Sequence, residues 1–246
     1  MKKEFRFWEI DFLRGIAVIM MITYHVLYDL NFFGVINLDL NSVPFLSFLY
    51  PIGTLFLLLV GISLHLSFSR VKDKLSQKQI FEKFFFRGLK ILVLGFIISF
   101  VTWVYLKDGW IIFGVLHCIG LSIILSIPLL KKKFINLFLG AIFVLIGVLL
   151  GSISFNFPWL LWLGFIPRGL YTVDYFPILP WFGIVLIGIF IGKSIYPEYI
   201  RVFNIKSNPK NYLVNFICFL GQNSLFIYFV HQPVLVGLIN LWILIF

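Results

Sequence analysis

Residues Ile10–Leu30, IDFLRGIAVIMMITYHVLYDL, have the length and apolar character of a membrane-spanning helix, yet they carry Asp11, Arg14, His25 and Asp29. A charge near mid-bilayer costs at least ~2.5–3.5 kcal/mol on insertion scales, so each such side chain needs a partner or water. At 100° per residue, Arg14 and His25 lie three turns plus about 20° apart. Asp11 sits one turn before this pair and Asp29 one turn after it, so all four fall within an arc of roughly 80°. The helix therefore has a polar stripe about 27 Å long on one face. In hydrocarbon that face must meet other helices or a water-filled cavity.

The rest of the chain has the same apolar character. Of its 246 residues, 61% are hydrophobic and 12% charged, against roughly 45–50% and 25% in soluble domains. Apolar runs of about 20 residues, the length that crosses a ~30 Å hydrocarbon core, occur at about 12–33, 45–67, 86–106, 111–130, 134–152, 179–196 and 224–246. Continuous runs exclude a β-barrel, whose strands alternate over shorter segments. The expected fold is an all-α, polytopic membrane helical bundle with about seven transmembrane helices. It forms a single integral-membrane domain over residues 1–246, without a soluble domain or the internal repeat of inverted-topology transporters. Segment 208–220, NPKNYLVNFICFL, is too short to span after its polar start and is expected along the cytoplasmic interface. Pro177 and Pro180 in DYFPILPWFG fall at the outer start of the sixth span, where a missing N–H costs little.

A net charge of +10 suggests nucleic acid until its distribution is considered. Lys2, Lys3 and Arg6 precede the first span, and Arg70, Lys72, Lys74, Lys78 and Lys83 separate the second from the third. Lys131, Lys132 and Lys133 separate the fourth from the fifth, and Arg201, Lys206 and Lys210 the sixth from the seventh. The alternate connections hold only Lys107 and Arg168. The positive-inside rule then places the N-terminus in the cytoplasm and the C-terminus outside, and nucleic acid is not a partner. MKKEFRFWEIDFLRG is basic and precedes an apolar run, but no small-residue cleavage site follows, so it reads as a retained anchor. Cys118 and Cys218, both in apolar surroundings, make no disulfide framework. The Phe-, Ile- and Lys-rich composition points to a prokaryotic plasma membrane.

Part of the stripe has a structural explanation. Asp11 and Arg14 match an interfacial i,i+3 ion pair with Arg14 snorkelling, and Asp29 an outer helix cap. His25 lies about 20 Å from the cytoplasmic end, too deep for its side chain to reach water there. Histidine titrates near neutrality and serves as a general base. Asp29, one turn away, suits the part of a carboxylate that fixes the His25 tautomer. Arg14 suits phosphate or another anion.

The stretch EIDFLRGIAVIMMITYHVLYDLNFFG (9–34) resembles the opening of prokaryotic relatives of heparan-α-glucosaminide N-acetyltransferase. LFLLLVGISLHLS (55–67), FGVLHCIGLS (113–122), DYFPILPWFGIVLIGIFIG (174–192) and GQNSLFIYFVHQPVLVG (221–237) follow in that family's order, over nearly the whole chain. The Arg14–His25 spacing is also similar to the arginine–histidine signature of inner-membrane acyltransferases that O-acetylate surface polysaccharides. The resemblance implies transfer of an acetyl or other acyl group from a cytoplasmic coenzyme A thioester to a sugar or glycan-type acceptor beyond the membrane, N- or O-acylation being open. It implies acetyl-CoA as co-substrate without a metal, and membrane lipids, acyl-CoA and the acceptor as partners; homo-oligomerisation is left open. In the lysosomal enzyme, the histidine regarded as catalytic follows the first family helix. GVINLDLNSVP (34–44) has none, so the resemblance gives that part to His25, with Asp29 orienting it.

The remaining candidates each admit two readings. His117, between Gly114 and Gly120 on span four, is either packed across helices or lines the site and holds the acyl thioester. Ser224, Tyr228 and His231 share a face of span seven ahead of Pro233. There His231 and Gln232 either line the tunnel for the acyl carrier or stabilise the kink. Arg87 and Lys90 in FFFRGLK are ligands for the nucleotide phosphates or membrane-surface anchors. His65 and Trp181 read as interfacial residues. Four histidines on four spans at differing depths make no metal site, and neither a phosphate-binding glycine loop nor a nucleophile elbow is visible. Two other functions stay open. One is a proton-coupled transporter using Asp11, Arg14, His25 and Asp29 as a relay; the other is a non-catalytic membrane subunit. Direct transfer and an acyl-histidine route stay open as well.

Overall fold

The computed structural model describes residues 6–40, 42–204 and 211–245. Eight α-helices occur among them: α1 (Trp8–Phe32), α2 (Val43–Val71), α3 (Gln77–Leu106), α4 (Val115–Ser126), α5 (Phe134–Gly151), α6 (Ile178–Ile195), α7 (Tyr212–Gln222) and α8 (Ser224–Ile245). Two short parallel strands, β1 (Ser154–Phe155) and β2 (Ile166–Pro167), lie between α5 and α6. The chain is an all-α polytopic bundle. Among the described residues, α1, α2, α3, α5, α6 and α8 are long and apolar enough to cross a membrane.

The fourth expected span departs from its apolar run. Residues 111–114 are apolar but not helical, because the backbone here is bound to the α5–α6 connection. Phe176 N–H donates to the Phe113 carbonyl at 3.0 Å, and Val173 N–H to that of Gly109 at 2.9 Å. Thr172 Oγ1 donates to the Trp110 carbonyl at 2.8 Å. Helix α4 begins only at Val115, whose N–H is capped by Asp174 Oδ2 at 3.1 Å. It runs 12 residues before a 3-10 turn over Ile127–Leu129 that contains Pro128.

The chain divides into two compact units. The first comprises residues up to Phe56 together with the C-terminal part from Ile205. Here α1 packs against α7 and α8. Where α1 meets α7, a Cβ on Gly15 would strike the Ile217 carbonyl, and one on Gly221 the Asp11 carbonyl, so only glycine permits this approach. Cys218 Sγ reaches the Trp8 carbonyl at 3.5 Å. Asn211 caps α7, accepting from Leu213 N–H at 2.9 Å. The start of segment 208–220, and Lys2, Lys3, Lys206 and Lys210, lie outside the described residues.

The second unit, Leu57–Asn204, has a core that includes Leu57, Leu64, Phe84, Val185, Leu186 and Ile189. Helix α3 starts nine residues before its apolar run because Ser76 and Gln79 form a capping box there. Gly88 and Gly120 let α3 and α4 touch: a Cβ on either would lie within 2.7–2.9 Å of the other's carbonyl.

Candidate functional site

The polar stripe of α1 resolves into two clusters. At its start, Asp11 is 2% exposed and gathers three side chains. Arg14 Nη1 approaches Oδ1 at 2.8 Å, Arg6 Nε approaches Oδ2 at 2.6 Å, and Gln222 Nε2 of α7 donates to Oδ2 at 3.2 Å. The i,i+3 ion pair of Asp11 and Arg14 is therefore present, and it ties α1 to α7. Arg6 and Gln222 were invisible as members of this cluster. Arg6 stood out only as a topology charge, and Gln222 is 211 positions away from Asp11.

About three turns beyond Arg14, α1 meets α8. The His25 and His231 rings lie with centroids 4.7 Å apart and planes at 59°. Asp29, 3% exposed, accepts at Oδ1 from Gln232 Nε2 at 2.8 Å. The expected bond from His25 to Asp29 is not formed among the described residues; the carboxylate is held by α8 instead. His231 Nδ1 lies 2.6 Å from the Tyr228 carbonyl. A carbonyl only accepts, so Nδ1 carries the proton of that bond.

Four buried polar atoms of this cluster have no hydrogen-bond partner among the described residues: His25 Nδ1, Asp29 Oδ2, His231 Nε2 and Gln232 Oε1. Each unpaired buried group costs ~1–3 kcal/mol, so four on two facing helices mark a place where a ligand or water completes the bonding. Three are fixed as acceptors. Asp29 Oδ2 is a carboxylate oxygen; Gln232 turns its NH₂ to Asp29, leaving the amide oxygen; and neutral His231 has its proton on Nδ1. These three atoms lack donors among the described residues.

Ser224 stands at the first position of α8, and the Tyr228 ring lies 5.5 Å from that of His231. His117 belongs to the second unit and is 1% exposed. Its Nδ1 accepts from Gly114 N–H at 3.2 Å and its Nε2 lies 3.3 Å from Ser99 Oγ, so both nitrogens are partnered within α3 and α4. Its rings of contact are Phe96 and Phe113, a packed setting. Arg87 is half-buried and Lys90 exposed on α3. His65, read as interfacial, is buried and joined to the Tyr196 carbonyl at 3.0 Å through Nε2. Trp181 packs on Phe176 with ring centroids 4.8 Å apart.

A family model described as heparan-alpha-glucosaminide N-acetyltransferase, catalytic, covers residues 6–233. Searches of curated proteins and of solved structures find no match.

Proposed function

The chain belongs to the heparan-alpha-glucosaminide N-acetyltransferase catalytic family, and on that premise we propose that it moves an acetyl group from acetyl-CoA to an acceptor amine or hydroxyl across the membrane. The α1–α8 cluster is the reaction centre in this reading, and the chain works as one integral-membrane domain. The observation that carries it is the set of unpartnered acceptor atoms on Asp29, His231 and Gln232. Such a set suits a molecule rich in O–H or N–H groups, as a sugar or glycan-type acceptor is. It does not suit the anionic phosphates of coenzyme A.

The phosphates belong with cations. Arg14, with Arg6 beside it, lies near the start of α1, on the side that positive-inside counting assigns to the cytoplasm. Arg87 and Lys90 on α3 are further candidates. The pantetheine arm then runs along the stripe and brings the thioester to the histidine pair. Orientation alone contributes ~7–11 kcal/mol to such a transfer, so a tunnel with one well-placed base is enough.

Binding of radiolabelled acetyl-CoA to the detergent-purified protein tests this. Saturable binding is expected, weakened about tenfold or more by Arg14→Ala and largely spared by His25→Ala. Well-folded protein that binds no acetyl-CoA, but passes substrate when reconstituted in vesicles, would mean a transporter instead.

A further inference from the structure

We propose that the proton of the acceptor is taken by Nε2 of His231 rather than by His25; this rests on the acetyl-transfer reading of the same cluster. A histidine base needs one nitrogen anchored as N–H so that the other presents its lone pair. His231 meets this condition: Nδ1–H is spent on the Tyr228 carbonyl at 2.6 Å, within its own helix. That bond leaves the lone pair of the neutral ring on Nε2, which is buried and has no partner among the described residues. The Tyr228 carbonyl thus does for His231 what a carboxylate does in a hydrolase triad. It selects the tautomer and stabilises the cation formed when Nε2 gains a proton.

His25 lacks such an anchor. Its Nδ1 has no partner among the described residues, and Gln232 holds Asp29, the carboxylate one turn away, at Oδ1. Its ring instead lies against that of His231. His25 is therefore a positioning residue, holding the His231 ring from the α1 side, while Asp29 Oδ2 and Gln232 Oε1 receive other O–H or N–H groups of the acceptor. In the transfer, the acceptor O–H or N–H bond breaks with its proton passing to His231 Nε2. The freed electron pair forms the bond to the acetyl carbonyl carbon. The carbon–sulfur bond of the thioester breaks, its pair leaves on sulfur, and the imidazolium returns the proton to give the coenzyme A thiol.

His231→Asn is the informative variant, because an asparagine amide keeps a donor where Nδ1 stands and deletes Nε2. With acetyl-CoA and glucosamine as the probe pair, His231→Asn is expected to lose about 100-fold in kcat with KM for acetyl-CoA within about twofold, while His25→Asn loses less than tenfold. Nitrogen-15 histidine spectra of wild-type protein give a readout that does not depend on turnover. Of the four histidines in the chain, the one whose signal His231→Asn removes is expected as the Nδ1–H tautomer. An Nε2–H tautomer at His231, near-wild-type kcat in His231→Asn, or a larger loss in His25→Asn overturns this assignment alone. Wild-type protein that neither binds nor turns over acetyl-CoA overturns the acetyl-transfer reading, and this assignment with it.

Discussion

Gln232 shows how far one side chain can redirect a site. Its amide reaches from α8 to Asp29 Oδ1, while His25, one turn earlier on α1, faces His231. Gln232→Leu would leave Asp29 Oδ1 buried and unpaired, at a cost of ~1–3 kcal/mol. A lower thermal-unfolding midpoint in detergent is the expected result, with Gln232→Glu lower still because it sets two carboxylates face to face. The Asp11 cluster carries a graded expectation. Asp11→Ala removes the carboxylate that Arg6, Arg14 and Gln222 share and should cost roughly 2–4 kcal/mol, as loss of one partner in a largely buried pair does. Arg6→Ala should cost no more than about 1 kcal/mol, because the Arg6 side chain is 52% exposed. Equal shifts for the two variants, measured by thermal unfolding, would mean that the Asp11–Arg14 contact contributes little.

Among the elements, α1 and α8 constrain the topology most tightly. Asp11 meets Gln222 just before α8 begins, and His25 and Asp29 then meet His231 and Gln232 in ascending order, so the two helices run in the same direction. Six crossings by the six long helices would leave the first and last antiparallel. A parallel pair needs an odd number, and we propose that α4, one of two shorter apolar helices among the described residues, supplies it. With its 3-10 extension it rises about 24 Å, a few ångströms short of a ~30 Å core, which a bilayer accommodates by local thinning. Single cysteines at Trp110 and Lys132, in a background without Cys118 and Cys218, should therefore react with a membrane-impermeant thiol reagent from opposite faces. Labelling from the same face would make α4 re-entrant.

The cap of α4 carries a pH signature. Burial pushes the Asp174 carboxyl up to about 6 from its ordinary 3.8. Between those values the unfolded chain releases a proton that the folded chain keeps, so the folded state loses stability as pH rises from about 4 to about 6, and the loss is complete above. Asp174→Asn retains an oxygen for Val115 N–H without the charge. Relative to wild type it should gain on the order of 1 kcal/mol on going from pH 4 to pH 7.5, the residue being only half-buried. Unfolding midpoints of both proteins at the two pH values check the sign.

For the whole molecule, the family match over residues 6–233 takes in both compact units. Acetyl transfer is thus a property to be tested on the intact chain. Its apolar spans were legible because hydrocarbon imposes a simple rule: every backbone polar group must be bonded within the segment, and about 20 apolar residues must follow one another. The stripe on α1 was legible for a similar reason, since helical periodicity fixes which residues share a face.

By itself, then, the sequence determined the class of fold, the spans other than α4, the Asp11–Arg14 pair and the family. The first three follow from length, composition or spacing along one segment, and the family from the resemblance of several blocks spread over the chain. Tertiary structure decided that residues 107–114 leave the helix for bonds with 172–176, that Arg6 and Gln222 join Asp11, and that Asp29 belongs to Gln232 while His25 faces His231. Most of these pairings join residues some 60 to 210 positions apart. No local periodicity carries information about such partners, because they are set by which helix faces pack together.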